Sequence, residues 1–183
     1  MGYSDRGLRG STFEEIINMT NARYQAQGLA VVEKIPTPIT PVAIDKESRH
    51  ITLAYFEKKS SVDYIGAVQG IPICFDAKET RLKNFPINNI HRHQIEFMEN
   101  FVNQKGIAFM LVNFAVLGEC FFLPFEDLQP HWDAAQKGGR KSIAYEVFER
   151  RYLVEQKGGH LKYLDAVNTY LEGIAGQTRN NRQ

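Results

Sequence analysis

Apolar positions recur along this chain with two different periods, and the switches between them mark the expected elements. Phe13, Ile16, Ile17 and Tyr24 follow helical spacing, which predicts a helix from an N-cap at Ser11 or Thr12 to about Gly28. Leu29-Ala-Val-Val-Glu reads as a short strand. Val42–Asp45 and His50–Phe56 read as two more, joined by the polar Asp45-Lys-Glu-Ser-Arg49. Pro36, Pro38 and Pro41 rule out a helix or a central strand between them. Residues 36–58 are therefore expected to form a projecting ribbon with a proline-stiffened base. Val62–Val68 and Ile71–Lys78 flank the turn dipeptide Gln69-Gly70 and predict a hairpin. A polar loop is expected over 81–89, then a helix from Ile90 to Gln104. Ile107–Phe114 is almost wholly apolar, as in a buried central strand. A strand over Cys120–Leu123, a helix over Glu126–Gln136, a helix from a Ser142 cap to Arg151 and a last helix over Leu161–Ile174 complete the pattern. The order predicts an α/β fold, a small mixed β-sheet flanked by helices, in one domain spanning 1–176 with a frayed polar tail at 177–183.

Composition agrees with a packed core. Of 183 residues, 43% are hydrophobic and 23% charged, which separates the chain from disordered sequences. It contains no run of about 18 apolar residues, so no membrane span is expected. No secretory leader is visible, and a cytoplasmic location is expected. Cys74 and Cys120 sit in apolar runs without the paired spacing of a zinc site, and read as buried thiols. A net charge of +1 argues against indiscriminate nucleic-acid binding. The charge is unevenly placed, however. In 77–94, Lys78, Arg81, Lys83 and Arg92 oppose only Glu79, and 136–162 is also basic. In 95–135, Lys105 alone opposes Glu96, Glu99, Glu119, Glu126, Asp127 and Asp133.

The hairpin carries the chemistry. A two-residue turn at 69–70 sets Asp63 opposite Asp76, with Cβ atoms about 5 Å apart on one face. Like charges so placed destabilise a sheet, unless a cation lies between them. A bulge near Gly66 or Pro72 would instead shift the register and separate the acids. Strand alternation puts Lys78 on the face of Asp76. Hard oxygen ligands favour Mg2+ or Mn2+, and an ammonium beside them suits a developing anion. Two acids, one lysine and a hard cation are the parts of a phosphodiester hydrolase.

An N-terminal helix with Glu14, a hairpin bearing the acids and a helix bearing Gln94 together resemble the restriction-endonuclease-like PD-(D/E)XK nucleases. Gly10-x-x-x-Glu14 looks like the first-helix acid motif of archaeal junction-resolving enzymes. The closer resemblance is to RecU, the Holliday junction resolvase of Gram-positive bacteria. It is carried by Pro36-Thr-Pro38, Ser61-Val-Asp63-Tyr-Ile-Gly66, Phe75-Asp-Ala-Lys-Glu-Thr80, Phe85-Pro86, His91-Arg-His-Gln-Ile-Glu96 and Gly139-Arg-Lys-Ser-Ile143, in order over roughly residues 5–170. The resemblance implies a metal held by Asp63 and Asp76 with help from Gln94 and Ser61, and Lys78 as the catalytic lysine. Asp76 stands where the family usually has glutamate. Val62 stands where it often has threonine, which puts a polar role there in doubt. The 36–58 ribbon matches the family's stalk, which is implied to enter the centre of the junction. A homodimer making two opposed cuts is implied, with recombinase and branch-migration proteins as partners.

Glu14 is a further catalytic candidate, against an ordinary role in a helix's first turn. Arg6, Arg9, Arg81, Lys83, His93, Arg140 and Lys141 are the expected DNA contacts. Lys137-Gly-Gly-Arg-Lys141 offers glycine N–H groups as a phosphate cradle. Beside His93, His91 reads as a helix-capping or solvent-facing histidine. The expected function is structure-selective cleavage of four-way DNA junctions in recombination and repair. The alternative is a junction-binding or remodelling module without catalysis.

Overall fold

A computed structural model describes residues 7–56 and 61–180. In chain order the elements are helix α1 (Gly7–Ala26) and strands β1 (Ala30–Lys34), β2 (Ile39–Ile44), β3 (Ile51–Phe56), β4 (Tyr64–Val68), β5 (Ile71–Thr80) and β6 (Asn84–Pro86). Helix α2 (Arg92–Asn103), strands β7 (Ile107–Phe114) and β8 (Glu119–Pro124), and helix α3 (Phe125–Gln136) follow. Strands β9 (Ser142–Ala144), β10 (Leu153–Val154), β11 (Gln156–Lys157) and β12 (His160–Leu161) then lead to helix α4 (Tyr163–Asn180). Six strands form one sheet in the order β1-β4-β5-β7-β8-β10. Only β5 and β7 run parallel, and the connection between them contains α2. The sheet is therefore mixed, as the element order predicts.

Each face of the sheet has its own apolar layer. Phe13, Ile17, Tyr64, Phe75, Phe109, Phe122 and Tyr163 pack under α1 and α4. Cys74, Met98, Met110, Val112, Phe121, Leu128 and Phe148 pack under α2 and α3. Strand β5 shows how the alternation works. Ile73, Phe75 and Ala77 enter the first layer, so Cys74, Asp76 and Lys78 face the second. The same periodicity that builds the core thus places two charged side chains at an apolar surface. No helix among the described residues is long and apolar enough to cross a membrane.

Strands β2 and β3 pair only with each other, and of their twelve residues only Thr40 is partly buried. Pro41 falls beside a register irregularity in this ribbon, where its missing N–H does no harm. This is the predicted projecting ribbon. It leaves the sheet where the Ile35 N–H donates to the Asp63 carbonyl at 2.8 Å, beside the predicted site.

Several expectations are corrected. Helix α1 already includes Gly7, so Ser11 and Thr12 lie within it and not at its N-cap. The loop at 81–89 contains β6 and a 3₁₀ turn at Ile87–Asn89. No helix spans 142–151: the segment forms β9, 3₁₀ turns at Tyr145–Val147 and Arg150–Tyr152, and leads into β10. Pairing of β9 with β6 takes the place of that helix and buries Ile143, while Phe148 packs against Phe114 and Phe121 and Val147 is exposed. Helix α4 continues to Asn180, past the expected stop at Ile174.

Candidate active site

The β4–β5 hairpin builds the site, and its turn fixes the geometry. Gln69 and Gly70 have φ of 49° and 86°, the positive pair that a two-residue type I′ turn requires. From Val68↔Ile71 the register runs without a bulge to Tyr64↔Phe75, which is the pairing expected from sequence. Asp63 stands one step before β4. Its backbone N–H donates to Asp76 Oδ1 at 2.8 Å. In return, Asp63 Oδ2 accepts the Ala77 N–H at 3.1 Å and the Lys78 ammonium at 3.2 Å. Each carboxylate is thus oriented by a backbone N–H of the facing segment, and Asp63 by the Lys78 ammonium as well.

The two acids differ in environment. Asp63 and Lys78 keep side-chain exposures of 24% and 19%, whereas Asp76 has none. Asp76 Oδ2 is buried without a hydrogen-bond partner, and the Lys78 ammonium lies 3.9 Å from it. Burial pushes the Asp76 carboxyl up to about 7. Lys78 counteracts this and the nearby Asp63 charge adds to it. A buried carboxylate oxygen without a partner is costly, and native proteins keep such groups where a ligand or a function uses them.

The donor set fits a hard divalent cation. Two aspartates supply the oxygens, one of them orphaned, and magnesium is commonly held by one or two carboxylates plus substrate phosphate. Among the described residues no cluster of three or more His, Cys, Asp or Glu side chains forms a self-sufficient metal cage. Further ligands would have to come from Ser61, Gln94, water or DNA. Ser61 is half-buried, two residues before Asp63. Gln94 is buried in the first turn of α2, where its Oε1 accepts the His91 N–H at 2.9 Å and completes a capping box. His91 and His93 stack with ring centroids 5.4 Å apart.

Asp63, Asp76 and Lys78 therefore come together. Glu14 pairs with Lys34 of β1 at 2.5 Å, on the α1 side of the sheet. The Tyr64 hydroxyl donates to Asn18, and its pKa is raised by burial, then by the Glu14 and Asp63 charges. Arg81 and Lys83 are exposed just beyond β5. Arg140 and Lys141 are exposed beside β9, which β6 joins to the same end of the sheet. The glycines between α3 and β9 are not a phosphate cradle. The Gly138 and Gly139 N–H groups donate to the Ala135 and Ala134 carbonyls and end α3. Arg6 lies outside the described residues, and Arg9 falls in α1. The backbone donors at Asp63 and Ala77 escaped sequence reasoning, although the hairpin register already placed them beside the acids.

Comparison with known proteins adds an independent line. Residues 8–169 match the family described as Recombination protein U. The chain is 42% identical to the Holliday junction resolvase RecU of Pediococcus pentosaceus, over 92% of this chain and 87% of that protein. It is 43% identical to the protein of the same name from Limosilactobacillus reuteri, over 91% and 85%, and 44% identical to that of Levilactobacillus brevis, over 76% and 71%.

Proposed function

The chain belongs to the RecU family, and on that premise we propose that it is a metal-dependent endonuclease that resolves four-way DNA junctions during recombination and repair. The observation that carries the catalytic reading is the buried Asp76, with one oxygen unpartnered between Asp63 and Lys78. Asp63 and Asp76 would hold Mg2+ or Mn2+, with Ser61 and Gln94 as supporting ligands. When bound, such a cation polarises a phosphoryl oxygen and offsets charge in the transition state.

The chain's own residues do the rest. Lys78 is tethered to Asp63 and turned toward Asp76, so its ammonium is already placed for an anionic phosphate. Preorganised donors of this kind stabilise charge as it develops, without reorganising at the moment of reaction. The Ala77 and Asp63 N–H groups keep the two carboxylates in place when their mutual repulsion grows. Glu14, held by Lys34, acts at longer range as an acid beside Tyr64.

Arg81, Lys83, His93, Arg140 and Lys141, with Arg6 and Arg9 of the N-terminal segment, contact the phosphate backbone. The β2–β3 ribbon enters the junction's centre. A homodimer presents two such sites and makes paired cuts in opposed strands. Recombinase and branch-migration proteins are its partners, in the cytoplasm. The test is cleavage of a synthetic four-way junction in Mg2+ or Mn2+, with each strand end-labelled in turn. Wild type should nick two opposed strands, and Asp63→Ala and Lys78→Ala should not. Junction binding without cleavage in any divalent cation would favour a non-catalytic remodelling module instead.

A further inference from the structure

Beyond the catalytic lysine, strand β5 ends in an apolar tip framed by positive charge. Leu82 is 57% exposed and stands between the exposed Arg81 and Lys83. Among the described residues neither cation has an ion-pair partner, in contrast to Arg92, Arg150 and Arg151. The tip is held in shape by the buried Thr80, whose hydroxyl accepts the Leu82 N–H at 3.1 Å and donates to the Asn84 carbonyl at 3.2 Å. The Thr80 carbonyl accepts the Ala115 N–H at 2.9 Å, which ties in the β7–β8 turn. That turn exposes Val116 by 67% and Leu117 by 40%.

One exposed leucine on a surface is unremarkable. Here three exposed apolar side chains share the end of the sheet at which Lys78 stands. The cations beside them suit a polyanion better than an apolar protein surface. The nearby acids are already engaged: Asn113 donates to Glu79 at 2.9 Å, and Glu119 accepts from Arg150 and Tyr145. We propose that Leu82, supported by Val116 and Leu117, is a wedge that enters a base step of the DNA arm being cut, while Arg81 and Lys83 grip the flanking phosphates. Apolar side chains between base steps unstack them, and the resulting kink is repaid by added contacts. At about 3.3 Å per residue, Leu82 lies at most ~13 Å beyond Lys78. The opened step is therefore within roughly four nucleotides of the scissile phosphate, at about 3.4 Å per nucleotide. Leu82 thereby positions the scissile phosphate and favours cutting where stacking is weak, as at pyrimidine–purine steps.

This inference rests on the junction-cleaving function proposed above, and one set of measurements separates the two. Junctions carry 2-aminopurine at each of the four positions flanking the cut, and Ca2+ replaces Mg2+ to hold the complex. Wild type should raise the fluorescence at one position by about twofold or more, as expected for an unstacked base. Leu82→Ala should abolish the rise, slow single-turnover cleavage by about tenfold, and leave the dissociation constant within about twofold. Leu82→Phe should restore both signals. Leu82 is exposed, so neither substitution threatens folding. Wild type that cuts, with Leu82→Ala matching it in rate and fluorescence, overturns the wedge alone. Wild type that does not bind the junction overturns the function and the wedge together.

Discussion

Replacing Asp76 by asparagine tests the electrostatics of the site without DNA. Asparagine keeps an oxygen for the Asp63 N–H and removes the charge that burial penalises. A carboxyl that titrates near 7 in the fold, against about 3.9 in the unfolded chain, favours the folded state less as pH rises. The penalty is absent below about pH 4, grows between pH 4 and 7, and levels off above 7. At ~1.4 kcal/mol for each pH unit, it reaches about 4 kcal/mol at the plateau, of which roughly 2.5 kcal/mol develops between pH 5 and 8. For a chain of this size 1 kcal/mol moves Tm by about 2–4 °C. Metal-free wild type should therefore lose about 5–10 °C more than Asp76→Asn between pH 5 and 8 in calorimetry. Groups common to both proteins cancel in the difference. Mg2+ at about a hundred times its Kd should return ~3 kcal/mol to wild type at pH 8 and little to Asp76→Asn. Parallel Tm curves from pH 5 to 8, or equal Mg2+ stabilisation of both proteins, would refute the reasoning.

Other outcomes follow from named side chains. Lys78→Ala should lower single-turnover junction cleavage by about 10²–10³ with binding nearly unchanged, as for removal of one preorganised donor. An equal loss of binding in a gel-shift titration would make Lys78 a phosphate anchor instead. Arg140→Ala with Lys141→Ala should reduce the slope of log K against log salt by about 2, one for each phosphate left without its cation. An unchanged slope would exclude both residues from the interface. A Cβ on Gly66 would sit 2.1 Å from the Val31 carbonyl oxygen and 2.7 Å from Val32 Cα. Gly66→Ala should thus cost more than ~2 kcal/mol in urea unfolding by prising β1 from β4, and a cost under about 0.5 kcal/mol would contradict that packing.

The central hairpin was legible because one local fact settles it. A two-residue turn at Gln69-Gly70 determines every later pair, and the alternation of β5 then assigns Asp76 and Lys78 to one face. The ribbon was legible from its prolines, and the apolar run at 107–114 from its length. What failed depends on packing between distant segments. Residues 142–151 carry helical spacing, yet β9 lies against β6 more than fifty residues earlier. The Glu14 partner Lys34 follows from how α1 lies on β1, and the apolar tip at Leu82 emerges only when Thr80 joins two turns. The orphaned Asp76 oxygen belongs to the same class, because burial is a property of the packed sheet, not of the strand.

The site assignment is tested most directly by anomalous diffraction from Mn2+ in crystals of the protein bound to an uncleavable four-way junction. The account predicts a manganese peak within about 2.2 Å of oxygens from both Asp63 and Asp76, touching the phosphate at the mapped cut, with the Lys78 ammonium in hydrogen-bond reach of that phosphate. Manganese and the scissile phosphate found together elsewhere on the chain, with the Asp76 oxygen still unpartnered, would contradict it.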